Sequence, residues 1–342
     1  MEKEYLKFVL DGMAPMFDAV TDLKDHKFLM AATMCRFLNC DSLLDLSEVY
    51  HINRKSLYKS VDAISPGRWM SRLRKAGRKR IINHLKKWHA GDPSWRTRHA
   101  ITLCADDFTR NARGELGHWM GLFYSGAEKG VVPGINLEVL AAAIGDGAEV
   151  IILDVRIVPP KPDGGGRLPA TRNAWLRKAL ADLNSFVRKN GTNFEGCSLS
   201  VDAAYVSPEN VTLAKSIGID MVGKLSIKRN VEGKVWGKVI FCAPCDIFAG
   251  VSIYMNPERC HPMRGEPDVE YHRKVVSAPS LKREIVLVAF IHEEDLLLYF
   301  STNTQMKTIT LRNTIRYRWQ LERIFWILKQ DIGIGDIHHH SK

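Results

Sequence analysis

Two spacings of apolar residues divide the chain. Up to about residue 97 they recur at three- and four-residue intervals, as in Leu6, Val9 and Leu10 and again in Phe28, Leu29, Ala32, Phe37 and Leu38, which predicts helices. A further helix is expected over 68–88, ended by Gly91, Asp92, Pro93 and Ser94. From residue 98 the texture changes. Short continuous apolar runs at 101–105, 137–144, 149–158, 197–201 and 219–225 read as buried strands. Between them lie two helices. One covers 170–187 on Trp175, Leu176, Leu180, Leu183 and Phe186. The other starts at Ser207-Pro208-Glu209, with a cap, a proline at the first helical position and an early acid, and stops at Gly218. The order is β-β-β-α-β-α-β. The first strand ends in Asp106-Asp107 and the fourth in Asp202.

Residues 226–300 carry β-rich runs at 239–241, 247–248, 251–254, 271–276, 285–291 and 296–300, separated by Gly, Pro and Asn. Helix returns at about 308 and continues through Lys329. In that last helix Arg318, Glu322, Phe325 and Lys329 fall at i, i+4, i+7 and i+11, within about 60° of one another. Trp319, Leu321, Ile324 and Leu328 are expected to pack it. The expected fold is α/β, a mixed sheet flanked by helices. It divides into a helical N-terminal domain over 1–97, a core over 98–225, an all-β insertion over 226–303 and a C-terminal helix over 304–342 that completes the core.

Charge adds a partner. The 342 residues carry 49 Lys and Arg against 38 Asp and Glu, a net +11, which favours a polyanion. The basic residues cluster over 68–87 (including Arg78, Lys79 and Arg80), over 224–238 and over 312–329. Around Asn53 a short helix, a turn and a second short helix carrying Arg54, Lys55 and Lys59 resemble a helix-turn-helix, with a plain helical hairpin as the alternative. No apolar run is long enough to span a bilayer and no export signal opens the chain, so a cytoplasmic, membrane-free protein is expected. The seven cysteines then read as reduced thiols. Cys242 and Cys245, with Cys260 and His261, offer four zinc ligands, but adjacent Cys260 and His261 are poorly spaced for joint chelation, and buried structural cysteines are the favoured reading.

The chemistry suggested by the order is a cluster of three distant carboxylates, Asp107, Asp202 and Glu322. Carboxylate oxygens suit two Mg²⁺ or Mn²⁺ ions, and such a pair promotes phosphodiester chemistry. Asp106 competes with Asp107 for the first position. Taken singly, strand-end acids also form turns, and Arg318 with Glu322 also makes an i,i+4 pair.

Residues 100–330 resemble the DDE transposases of bacterial insertion sequences. The resemblance rests on ITLCADDFT, on LSVDAAY, and on the spacing of Arg318, Glu322 and Lys329 within YRWQLERIFWILK. It departs from the family at Ile315, where a tyrosine is usual. The resemblance implies an RNase H-like core interrupted by a β-rich insertion, and metal-dependent DNA cleavage and strand transfer. It implies catalytic, metal-binding Asp107, Asp202 and Glu322, with Arg318 and Lys329 at DNA phosphates. It also implies double-stranded DNA partners, both terminal inverted repeats and target, and a homodimer in the DNA complex. Trp236 is a candidate for stacking on a flipped base, or else a core residue of the insertion. A nuclease of the same fold and a non-catalytic helix-turn-helix regulator are the alternatives.

Overall fold

The structure, a computed structural model, describes residues 66–111, 121–125, 128–145, 149–159, 171–226, 228–235, 238–249, 261–263, 266–292 and 295–330. The expected helix-turn-helix with Arg54, Lys55 and Lys59 lies outside them, as do Trp236, Cys260 and the run 251–254.

The first described helix, α1 (Pro66–Ala90), is followed by the short α2 (Pro93–Arg98), which Asp92 caps by accepting from the backbone N–H groups of Ser94 and Trp95. Four strands come next: β1 (Ile101–Asn111), β2 (Gly121–Ser125), β3 (Gly130–Ile144) and β4 (Glu149–Ile157). Helix α3 (Thr171–Lys189) leads to β5 (Ser198–Val201), and α4 (Pro208–Ser216) leads to β6 (Asp220–Lys224). Ser207 caps α4 through the Asn210 N–H, and Gly218, at φ +81°, turns the chain after it. The chain continues through β7 (Val231–Val235), β8 (Lys238–Cys242), α5 (Asp246–Ala249) and β9 (His261–Met263). It then runs through β10 (Glu266–Ala278), β11 (Arg283–His292), β12 (Asp295–Ser301) and α6 (Thr308–Gln330).

All twelve described strands join one mixed sheet. Its order is β2-β3-β1-β5-β6-β12-β11-β10-β7-β8, with β4 on β3 and β9 on β10. β1, β5 and β6 are mutually parallel, and β3 runs antiparallel to both β1 and β4. The expected all-β insertion therefore continues the sheet: β12 pairs antiparallel with β6, Tyr299 opposite Lys224. Two local expectations change. Ile247 and Phe248, read as strand, form α5 with both side chains buried, because a two-residue apolar run fits either period. β2 had not been expected.

Each face of the sheet has its own core. On one face Leu103 and Ala105 of β1, Leu140 and Ala142 of β3, and Leu199 and Val201 of β5 pack with α1, α3 and α4. On the other, Cys104 and Phe108 of β1 and Ala141 and Ala143 of β3 lie with Leu321 and Phe325 of α6. A second cluster under the same helix gathers Val222, Tyr299, Leu311 and Ile315. Covering on both sides explains why β3 reads as an unbroken apolar run. Trp319, expected to pack α6, is instead exposed.

Helix α1 belongs to this core. Ile81, Ile82, Leu85 and Trp88 are buried in it. Arg74 donates to Asp154 of β4 from Nε and Nη2, at 3.0 and 2.6 Å. The boundary expected at residue 97 thus leaves a helix of the N-terminal segment packed on the sheet. Gly77 permits the approach: a Cβ there would lie 1.9 Å from the Ile152 carbonyl oxygen. Gly77→Ala is expected to push α1 off β4 and to destabilise the protein by about 1–3 kcal/mol, the usual cost of overpacking. Denaturant unfolding would measure it, and an unchanged midpoint would mean that α1 does not dock as described.

Candidate active site

Alternation along two strands sorts the acids. In β1, Cys104 and Phe108 face α6, while Leu103 and Ala105 face α3. Successive residues of a strand point to opposite faces, so Asp106 faces α6 and Asp107 faces α3. In β5, Leu199 and Val201 face α3, which turns Asp202, the next residue but one after Ser200, toward α6. Ala105 pairs with Val201 in the parallel register. Asp106 and Asp202 therefore leave neighbouring strands side by side, on the face that α6 covers.

Helix α6 packs across β1, β3, β5 and β6 and brings Arg318 and Glu322 to that place. Arg318 Nη1 donates to Asp106 Oδ2 and lies 3.2 Å from Glu322 Oε1. The Asp106 and Arg318 side chains are 13% and 15% exposed and that of Glu322 is 44% exposed, so the pair is closed inside and opens toward Glu322. Phe108 and Phe325, with ring centroids 4.5 Å apart, fix the helix one turn beyond. Asp202 precedes a 3₁₀ turn, Ala203–Tyr205, and its side chain makes no capping bond to it. Its carboxylate is thus not engaged by that backbone.

Electrostatics tie the four groups together. Burial pushes the Asp106 carboxyl up to about 6, against the pull of Arg318, and the charges of Asp107 and Asp202 add to the rise. Burial pulls the Arg318 guanidinium down, but Asp106, Glu322 and Asp202 more than offset it and the net shift is upward. Tyr299 of β12 shares this face. Burial raises its hydroxyl, which also feels Arg318, Asp202 and Glu322. The alternation of Leu297 and Tyr299 against Leu298 and Phe300 carries the signal that would have found it. Ile315, at the position of the family tyrosine, is buried among Val222, Leu311 and Met306.

The expectation that Asp107 joins Asp202 and Glu322 is therefore corrected to Asp106. Asp107 sits on the opposite face, where Arg172 Nη2 of α3 lies 2.9 Å from Oδ1 and 3.0 Å from Oδ2. Asn136 Nδ2 donates to the same Oδ2 at 3.0 Å. Glu138, fully buried and bonded by Arg156 Nε at 2.6 Å, lies across from Asp107 in the register. These groups form a structural network behind the site, and Arg172 was not foreseen from the sequence.

Of the proposed DNA contacts, Arg78 needs a similar correction. It is 14% exposed, 3.8 Å from Asp154, and its guanidinium lies over the Phe186 ring. It faces the protein interior. Arg80 is half-exposed and ion-paired with Glu149, Nε to Oε1 at 2.6 Å, and Lys79 is exposed. Lys329 lies within α6. Beside these, a cleft of about 750 Å³ runs between α1, α2 and the start of β1, lined among others by His84, Lys87, Trp95, Arg98, His99 and Tyr317.

Oxygen donors of this kind suit a hard divalent ion, and Arg318 already supplies a cation among them. Among the described residues no three of His, Cys, Asp and Glu are gathered closely enough to hold a metal ion. Cys242 and Cys245 are both half-buried, and Cys260, the third cysteine of the expected zinc set, lies outside the described residues.

No family model and no curated protein matches the chain. Among solved structures, the NurA nuclease from Sulfolobus solfataricus is similar at a TM-score of 0.29 and 11% identity, over 78% of this chain and 86% of that one. A likeness this slight carries no functional argument.

Asp106 gives the site a pH signature. Its folded value of about 6 lies above its ordinary 3.8. Unfolding thus releases a proton between those values, and this residue's contribution to stability falls as pH rises from about 4 to about 6. Above that range the loss is complete. Asp106→Asn should remove this component. Denaturant midpoints of both proteins, measured from pH 4 to pH 8, are expected to diverge in favour of the variant as pH rises. Parallel curves would contradict the placement.

Proposed function

We propose that the chain is a DDE-type DNA transposase, acting by metal-dependent strand cleavage and strand transfer, with Asp106, Asp202 and Glu322 as its metal-binding, catalytic acids. The observation that carries the reading is the pairing of Asp106 with Asp202 at neighbouring parallel strands under the helix that bears Glu322 and Arg318. The strand order supports it as well. Taken from β4 through β3, β1 and β5 to β6, it is an antiparallel meander followed by two parallel strands, an order compatible with the RNase H-like core that the resemblance implies. The β-rich segment enters after β6 and leaves before α6, where the resemblance places the family's insertion.

The three carboxylates offer oxygen donors to Mg²⁺ or Mn²⁺. Two such ions at this place would activate water or a DNA 3′-hydroxyl and stabilise the leaving oxygen of a phosphodiester. The chain's own groups do the rest. β1 and β5 hold Asp106 and Asp202 at a spacing fixed by backbone pairing, and α6 supplies Glu322 from the outside. Arg318, with its planar fork of donors, suits a phosphate oxygen, and Lys329 carries a second cation on the same helix. The cations and rings of the cleft beside α2 suit a nucleic-acid backbone with accessible bases. No helix among the described residues is long and apolar enough to cross a membrane. Double-stranded DNA, as element ends and target, is the proposed partner, engaged by a homodimer in the cytoplasm.

The test is a Mg²⁺-dependent assay on DNA carrying the element's ends and on target plasmid. Glu322→Gln and Asp106→Asn are each expected to reduce cleavage by at least about 10²-fold, the scale of losing a group that acts in the transition state, with DNA binding retained. Asp107→Asn should act mainly on stability. Joined product marks a transposase, whereas cleavage without joining marks a nuclease of the same fold. Full activity in Glu322→Gln would overturn the assignment.

A further inference from the structure

The cleft of about 750 Å³ beside α2 has an apolar floor and a cationic rim. The floor is the end of the sheet, where buried Ile101 of β1 stands opposite buried Ile144 of β3. On the rim, Lys87 of α1 and Arg98 of α2 are exposed. The carboxylate in the wall, Glu149, lies 2.6 Å from Arg80 Nε and 3.2 Å from His84 Nε2, so its charge is answered within the protein.

The rings of the cleft are held in order. Trp95 packs on the core, and Gly91 lets it lie close: a Cβ there would be 2.6 Å from Trp95 Cε3. His99 stacks on Trp95, with centroids 4.0 Å apart and planes within 13°. His99 Nδ1 lies 2.9 Å from the Trp95 carbonyl oxygen. A carbonyl only accepts, so Nδ1 donates and the imidazole is fixed in place.

We propose that this cleft binds single-stranded DNA, with an unpaired base extending the Trp95–His99 stack over the Ile101–Ile144 floor and its phosphates at Lys87 and Arg98. Bases within a duplex cover one another's faces, so only an unpaired base can stack on a side-chain ring. A concave site of this size takes nucleotide units rather than a double helix. Tyr317, in the same lining, precedes Arg318 in α6, so a strand leaving the cleft runs along that helix toward the acids. The inference rests on the nucleic-acid reading of the chain and needs no metal.

Fluorescence polarisation of a labelled mixed-sequence single strand with the full-length chain, in EDTA, tests it, with a duplex of the same length alongside. Lys87→Gln/Arg98→Gln is expected to weaken single-strand binding. It should also lower the slope of log affinity against log salt by about 1.4, two phosphate contacts at about 0.7 each. His99→Ala should bind the single strand at least about fivefold more weakly, the lower end of the cost of a lost base stack. His99→Phe, which keeps a ring, should restore binding. Duplex binding should change much less in every variant. Lys75→Gln/Lys178→Gln removes two exposed cations of α1 and α3 outside the lining and controls for the general field. The double variant at Lys87 and Arg98 serves if His99→Ala does not fold.

A wild type that binds no single strand would overturn the inference. So would single-strand binding unchanged in the cleft variants, a loss no greater than in the control pair, or an equal loss on duplex. The transposase reading fails separately. A chain that binds single strands through the cleft but neither cleaves nor joins DNA keeps this inference and loses that one. A chain that joins DNA while its cleft variants bind as the wild type does the reverse.

Discussion

The parallel pairing of β1 with β5 is the contact on which the site depends. It sets Ala105 opposite Val201, so the residues that follow, Asp106 and Asp202, emerge together on one face. Two carboxylates brought together in this way repel each other, and burial makes the repulsion more costly. Helix α6 resolves that conflict by presenting Arg318, which bonds Asp106 and approaches Glu322 one turn on. The helix can lie close because Ala141 and Ala143 of β3 are small and because Phe325 packs against Phe108. Packing and charge are thus decided at one crossing of a helix over four strands.

The second face explains why the acid pair Asp106-Asp107 is adjacent without being redundant. One residue of slip changes the face. Asp107 meets Arg172 and Asn136, and with Glu138 and Arg156 it forms a polar layer between sheet and α3. Tyr205, wholly buried, lies at the same layer under the Arg172 guanidinium, its hydroxyl shifted far upward by burial. This layer anchors α3 and the turn after Asp202, so it holds the site from behind.

Much of the core was legible in the sequence because its signals are local. Ser207-Pro208 marks the start of α4, Gly218 its end, and the apolar runs at 137–144 and 149–158 mark β3 and β4. The spacing of Arg318 and Glu322 marked the face of α6 that meets Asp106. What was not legible depends on partners distant in sequence. The face taken by Asp106 or Asp107 is fixed by the register with β3 and β5. The burial of Arg78 follows from the docking of α1 on β4, where Asp154 waits 76 residues along. The continuation of the sheet through β12 depends on its pairing with β6, which no run of residues between 226 and 300 announces. Two-residue runs such as Ile247-Phe248 carry no period, and helix rather than strand was the outcome there.

The central claim is that the metal-binding acids lie on the α6 face. Fe²⁺ bound in place of Mg²⁺, with ascorbate and peroxide, cuts the backbone where the ion sits, and the fragments can be mapped by mass spectrometry. The account predicts cuts near Asp106, Asp202 and Glu322, all lost in Asp202→Asn. Cuts near Asn136 and Arg172, without any at Asp202 or Glu322, would place the ion on the opposite face and contradict it.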